Sequence, residues 1–275
     1  MGPTASGKTA VALELARALP CEIVSVDSAL VYKAMDIGTA KPDAATLRAF
    51  PHHLVDVIEP HERYSAARFR DDALAAMRDI SERGRIPLLV GGTMLYFKAL
   101  TEGLNELPVA DPMIRLVIDT MAAEHGWSAV YEKLQKLDPD TAARLQPNDV
   151  QRVQRALEIY YITGKTMGEL LQKPRYVYFP YTPIRIALIP GNRAVLHERI
   201  AHRFEAMLDA GLVDEVAILR EEYGLDASMP SMRCVGYRQA LQHLNGELTH
   251  EALAAQGIAA TRQLAKRQLT WLRAT

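Results

Sequence analysis

Residues Gly2-Pro3-Thr4-Ala5-Ser6-Gly7-Lys8-Thr9 fit the pattern G-x-x-x-x-G-K-[ST] over its whole length. This pattern constrains the fold more than any other stretch of the chain, because each fixed position answers a physical need. The glycines let the backbone curl until successive N–H groups point at one phosphate. The helix that follows, over residues 8–19, adds its positive end. Lys8 brings a mobile cation, and the Thr9 hydroxyl can ligate Mg²⁺. The loop therefore reads as a binder of diphosphate with Mg²⁺, and it does not by itself specify ATP. The alternative is a glycine-containing turn that happens to match. A phosphate loop ordinarily hangs from the end of a buried strand. Only Met1 precedes this one, so the first strand of the sheet is expected to be missing from the sequence.

Composition narrows the class. The 275 residues are 49% hydrophobic and 24% charged, enough for one large core or two modest ones in a soluble globular chain. No run of 18 apolar residues is present, which predicts no membrane span, and no secretion leader is visible. Cys21 and Cys234 fit neither a disulfide framework nor a zinc site and suit a reducing cytoplasm. The formal net charge of −1 argues against a wholly basic nucleic-acid binder but permits a basic face. Such a face is available over 258–275, where Arg262, Lys266, Arg267 and Arg273 occur without any acid.

Along the chain, residues 22–27 read as a buried strand that delivers Asp27 to its C-terminal end, where the ligand crevice of an α/β sheet lies. A loop acid or helix cap is the alternative for Asp27. Lys41, in the loop after Met35, is a cation that could face phosphate. Residues 53–58 predict another strand, and the pair His52-His53 lacks the spaced third ligand a metal site requires. Ser65 predicts the N-cap of a helix ending near Arg83, before Gly84. The strand 86–90 ends in Gly91-Gly92-Thr93, where a nucleoside triphosphatase would carry its Mg²⁺-binding Asp. Glycines there permit close approach of a ligand or another backbone, and Thr93 offers a hydroxyl; a packed turn is the other reading.

From Leu107 the periodicity becomes helical, with segments at 112–125, 128–137, 141–145 and 148–163. Gln151 and Arg152 stand at the start of the last of these, against the helix dipole, which hints at an external anion. Residues 165–185 interleave Lys165, Lys173, Arg175 and Arg185 with Tyr176, Tyr178, Phe179 and Tyr181, a mixture suited to RNA or to packing. A strand is predicted at 185–190, then helices at 194–210, 213–223, from Ser231, and 249–272. On the last, Arg262, Lys266 and Arg273 share one basic stripe, with Ile258, Leu264 and Leu269 facing inward. The predicted fold class is α/β: a P-loop NTPase-like parallel sheet core over 1–108 and 184–275, with an inserted all-helical domain over 109–183.

Five ordered motifs then carry a specific resemblance: GPTASGKT at 2–9, VDSALVYKAMDIGTAKP at 26–42, GGTMLYFKAL at 91–100, RCVGYR at 233–238 and ATRQLAKRQLTWLR at 260–273. Together they resemble the bacterial tRNA dimethylallyltransferase (tRNA isopentenyltransferase) family over nearly the whole chain. The family pattern continues past Trp271-Leu272-Arg273, whereas this sequence stops at Thr275. The resemblance implies transfer of a dimethylallyl group from dimethylallyl diphosphate to N6 of the adenosine just 3′ of the anticodon, in tRNAs reading codons that start with U, with Mg²⁺ assisting. It implies Asp27 as the base, Thr93 as a positioning group and Arg203 as a cation on the diphosphate. It implies contact of the tRNA anticodon stem-loop with Asp27, Ser28, Ala29, Leu30, Thr93 and Arg115, and with Gln151, Arg152, Val153, Gln154 and Arg155. It further implies contact with Arg233, Cys234, Val235, Gly236, Tyr237 and Arg238, and with Lys266, Arg267, Gln268, Leu269, Thr270, Trp271, Leu272 and Arg273. The inserted helices would grip the anticodon stem, and the protein would act as a monomer away from membranes. The residues alone leave open a small-molecule P-loop kinase, an adenylate dimethylallyltransferase and a non-catalytic RNA-binding module.

Overall fold

A computed structural model of the protein describes residues 1–172 and 177–274, so the cation and aromatic reading at Lys173, Arg175 and Tyr176 lies outside the described residues. The chain separates into two compact units, Met1–Thr101 with Pro180–Thr275, and Glu102–Phe179.

In the first unit the phosphate loop leads into α1 (Lys8–Ala18), then β1 (Cys21–Val26), α2 (Ala44–Ala49), β2 (His52–His53), α3 (Ala66–Glu82), β3 (Ile86–Gly91) and α4 (Met94–Glu102). The strands form a parallel sheet in the order β2-β1-β3, with Cys21 opposite Ile86 and Val26 opposite Gly91. Every residue of β1 is buried, as expected of a central parallel strand covered on both faces. The α/β class predicted from the periodicity is therefore the observed one. Ser65 caps α3 as predicted, its Oγ accepting from the Arg68 N–H.

One β1 residue is a carboxylate. Glu22 is 5% exposed; it is hydrogen-bonded by His53 Nε2 at 2.7 Å and Arg83 Nη2 at 2.7 Å, and pairs ionically with Arg85 Nε at 3.2 Å. Burial alone would push its carboxyl up, but the hydrogen bonds from His53 and Arg83 outweigh it and hold it below the usual carboxylate range. His52 contacts the Phe50 carbonyl, so both histidines have structural partners.

Three expectations need correction. The strand predicted at 53–58 stops at His53, because Leu54 and Asp56 take φ of 62° and 55° and turn the chain away. The Asp56 and Val57 N–H groups donate instead to Leu30 and Val31, and parallel pairing resumes as one bridge between Tyr32 and Ile58. Lys41 does not face a phosphate. Its Nζ donates to the Tyr32 carbonyl, Asp36 and Asp56, and its side chain is 5% exposed. The strand predicted at 185–190 is extended chain without a ladder. Its backbone bonds are the Met1 amino group to Ile186 O and Leu188 N–H to Met1 O.

The second unit is helical: α5 (Pro112–Leu137), α6 (Pro139–Ala142), α7 (Val150–Thr163) and α8 (Met167–Leu171). The predicted break near residue 126 appears as a kink in α5 at Gly126, with φ 80°. Ile118, Val130, Leu134, Val153, Ala156 and Leu157 form its core. Against that core sits Glu158, fully buried. Arg115 reaches it with Nε at 2.9 Å and Nη2 at 3.1 Å, Arg155 with Nη1 at 2.7 Å, and the Asp111 N–H at 2.9 Å. Burial would raise the Glu158 carboxyl, yet these donors keep it lowered. Its stabilising contribution is present above the ordinary carboxylate range and lost as pH falls through the lowered value. Glu158→Ala strands two guanidiniums, and we expect it to cost about 3 kcal/mol. Thermal unfolding checks this, and an unchanged midpoint at pH 7 would remove the charge knot from the account.

The chain returns to the first unit with α9 (Arg193–Asp209), α10 (Leu212–Tyr223), a 3₁₀ turn at Ser231–Arg233, α11 (Tyr237–Leu244) and α12 (His250–Ala274). Val31, Met35, Ile58, Phe204, Val216, Met232 and Tyr237 belong to one core cluster here. On α12 the buried residues are Leu253, Gly257, Thr261 and Ala265, a stripe at spacing four. No helix among the described residues is long and apolar enough to cross a membrane.

Candidate active site

The ends of β1 and β3, the phosphate loop, α9 and α12 surround one crevice of about 710 Å³. Asp27 directly follows β1. Its Oδ1 accepts the Ala29 N–H at 2.9 Å, which fixes the carboxylate and leaves Oδ2 without a partner among the described residues. Thr93 follows β3. Its N–H donates to Val26 O, and its Oγ1 accepts from the Ser28 N–H at 3.0 Å and donates to Ser28 Oγ at 3.3 Å. Thr93 thus fastens the 27–30 turn to the neighbouring strand end. The glycines before it have separate reasons. A Cβ on Gly91 would stand 1.9 Å from Val26 O, and one on Gly92 would stand 2.4 Å from Gln268 Nε2. Of the two partners the sequence suggested for this turn, backbone and ligand, Gly91 meets backbone and Gly92 meets a side chain.

Opposite Asp27 stand two cations. Lys8 opens α1 and donates its Nζ to Pro3 O at 2.7 Å. Arg203, on α9, donates Nη2–H to Thr4 Oγ1 at 2.8 Å. Burial pushes the Lys8 ammonium down to about 8; Asp27 pulls it up and Arg203 pushes it further down. Burial also lowers the Arg203 guanidinium, against the pull of Asp27. Among the described residues Asp27 is the sole carboxylate lining the crevice, so two desolvated cations share one anion, and a bound polyanion would relieve both. The Thr9 hydroxyl opens into the same space, while no cluster of His, Cys, Asp or Glu among the described residues can hold a metal unaided. One hydroxyl beside an anion site fits Mg²⁺ carried in with phosphate oxygens and water.

Of the residues expected from the sequence, Thr4, Lys8, Thr9, Asp27, Ser28, Ala29, Leu30, Thr93, Arg203, Arg233, Cys234, Val235, Arg267, Gln268 and Trp271 line this one crevice. Lys266, Thr270 and Arg273 are exposed elsewhere on α12, and Leu269 packs near Leu196 and Ile200. Arg238 is exposed. Arg115 and Gln151 to Arg155 belong to the helical unit. There Arg152 pairs with Asp149 at 3.1 Å, which supplies the anion its helix position called for. Gln154 donates to Asp119, and Arg155 is held by Glu158 and Pro108 O.

Of the residues expected to contact RNA, Val153, Gly236 and Tyr237 are buried. Val153 fills the helical core. The Tyr237 hydroxyl donates to Glu215 Oε1 at 2.5 Å. Burial of the Cys234 thiol pushes it up to about 12, which keeps it protonated and unreactive near neutrality. Sequence reasoning missed Glu215 altogether. Its carboxylate accepts the N–H groups of Asp36 at 3.0 Å, Ile37 at 2.7 Å and Gly38 at 3.3 Å, and so holds the loop whose Gly38, Thr39, Ala40 and Pro42 wall the crevice. Nothing in its own helix marks it. The aromatic and aliphatic wall of Tyr32, Met94, Tyr96, Ile200, Phe204 and Met207 was likewise invisible as a set.

Sheet, loop and crevice together are those of a P-loop α/β protein with an anion-binding crevice. A family model described as IPP transferase matches residues 30–275. A tRNA dimethylallyltransferase of Nitrosomonas europaea is 58% identical over 273 residues, covering 99% of this chain and 86% of that protein. The crystal structure of the full-length tRNA isopentenylpyrophosphate transferase of Bacillus halodurans superposes with a TM-score of 0.71 at 38% identity, covering 100% of this chain and 85% of that one. A eukaryotic dimethylallyltransferase seen acting on tRNA gives 0.78 at 30% identity, covering 98% and 68%. The chain belongs to the IPP transferase family.

Proposed function

We propose that this protein transfers the dimethylallyl group of dimethylallyl diphosphate to N6 of the adenosine 3′ of the anticodon in tRNA, releasing diphosphate. The observation that carries this is the pairing of Lys8 and Arg203 across one crevice from Asp27. Breaking the allylic C–O bond puts negative charge on the leaving diphosphate. Lys8, Arg203 and the loop N–H groups stabilise that charge in place. The apolar wall, with Tyr96, Met94 and Ile200, suits the branched five-carbon group and excludes water.

An exocyclic adenine amine is a weak nucleophile, because its lone pair is delocalised into the ring. It must lose a proton as the C–N bond forms, and the uncommitted Oδ2 of Asp27 is the acceptor. Thr93 and Ser28 keep that carboxylate at the mouth of the loop. Thr9 would hold Mg²⁺, which would supply further charge neutralisation at the diphosphate when bound. The target base has to leave its stack to reach these groups.

The test is transfer of labelled dimethylallyl from its diphosphate to an anticodon stem-loop, with AMP as rival acceptor and ATP as rival donor. Label on the stem-loop alone is the expected result. Label on AMP, or phosphate transfer from ATP, overturns it. The exposed Lys266 and Arg273 would contact RNA phosphates. Replacing both by Ala is expected to reduce the slope of log affinity against log salt by about 1.5. An unaltered slope in a titration series would take α12 out of the RNA surface.

A further inference from the structure

Gln268 lies within the stretch that resemblance assigns to tRNA contact, yet its side chain turns the other way. The buried stripe of α12 runs through Gly257, Thr261 and Ala265, and 268 and 269 continue that face at i+3 and i+4. The amide arrives beside the phosphate loop with both ends used. Its Oε1 accepts the Thr4 N–H at 2.8 Å, and its Nε2 donates to Gly92 O at 2.9 Å. Gly92 has no Cβ to obstruct it; one would stand 2.4 Å from Nε2. Lys266 and Arg267, its neighbours, are exposed.

We propose that Gln268 is a positioning residue for the diphosphate, a latch that fixes the phosphate loop against the end of β3. It rests on the diphosphate reading above. The Thr4 N–H is committed to Gln268, so the donors offered to phosphate are those later in the loop, and their direction depends on where Thr4 is held. Arg203 grips the same residue through Thr4 Oγ1. The two bonds tie the loop to α9 and to α12 at one residue, Thr4. Methionine at 268 keeps the volume and loses both bonds. Glutamate would keep the Thr4 bond, but set a carboxylate against Gly92 O and beside the diphosphate.

Calorimetric titration with inorganic pyrophosphate and Mg²⁺, and separately with a stem-loop RNA, tests this without requiring turnover. Gln268→Met is expected to weaken pyrophosphate binding about tenfold, for two lost hydrogen bonds, with RNA affinity within about twofold of the parent. In steady state the KM for dimethylallyl diphosphate rises by the same factor, while the KM for RNA holds. Lys266→Ala gives the opposite pattern. Gly92→Ala is the second variant: its methyl would stand 2.4 Å from Gln268 Nε2 and 3.2 Å from Gly2 O, so it crowds the latch with Gln268 still in the chain, and it is expected to reproduce the pyrophosphate loss. Full pyrophosphate affinity in either folded variant overturns the proposal, as does a loss confined to RNA. A parent chain that ignores pyrophosphate would instead refute the diphosphate reading itself.

Discussion

Asp27→Asn is expected to lower kcat for prenyl transfer by about a thousandfold while leaving stem-loop affinity and pyrophosphate affinity near those of the parent. The substitution isolates the proton-accepting role. The amide oxygen of Asn can still accept the Ala29 N–H that Oδ1 accepts now, so the turn from Asp27 to Leu30 keeps its shape. What disappears is the basic second oxygen facing the crevice. Single-turnover transfer with both substrates saturating separates chemistry from binding. A parent-like rate would mean that the amine loses its proton to something else. A parallel loss of RNA binding would mean that Asp27 holds the base rather than deprotonates it.

Lys8→Met should weaken binding of pyrophosphate by about a hundredfold and slow transfer at least as much, because the lost cation faces the group whose charge grows during the reaction. The lysine also carries a pH signature. Desolvation and Arg203 put its ammonium at about 8 in the free protein. A bound anion favours the charged form and raises it, so binding near pH 8.5 draws in a proton, visible as a dependence of the calorimetric enthalpy on buffer. Affinity, taken as a ratio to the Met variant, holds below pH 8 and declines above it as the free ammonium is lost. A ratio that stays level to pH 10 would show that Lys8 is not a titrating partner of the anion.

The central strand, the cap at Ser65 and the crevice acid were legible because each is written locally. A short run rich in β-branched residues, a capping residue and a carboxylate at a strand end all declare themselves within a few positions. The strand predicted at 53–58 has good β composition. It fails because Asp56 is drawn out of line to meet Lys41, a partner 15 residues earlier. Residues 185–190 are equally apolar, but a strand exists only with a paired neighbour, and apolar composition does not say which neighbour pairs with it. The ranges expected to touch RNA mixed inward and outward positions of one helix, as Val153 beside Arg152 shows. Resemblance identifies a stretch, whereas helical period decides which residues in it can reach a ligand. Glu215 and Gln268 act on loops more than 170 residues away, and no local signal records such a contact.

Those long separations also set when the site can exist. The Gly92 carbonyl meets its Gln268 partner only after 176 further residues have been added. At ordinary rates of protein synthesis that takes roughly 10–35 s. Until then the nascent phosphate loop has neither its α12 latch nor, before residue 203 emerges, its second cation. A diphosphate that meets a growing chain before then finds Lys8 without Arg203 and the loop without its tie to α12. We expect these distant contacts to form after the folding barrier is crossed, a placement that φ-values at Gln268 and Glu215 would check. Weakening them should therefore quicken the opening of the finished protein more than it slows its folding.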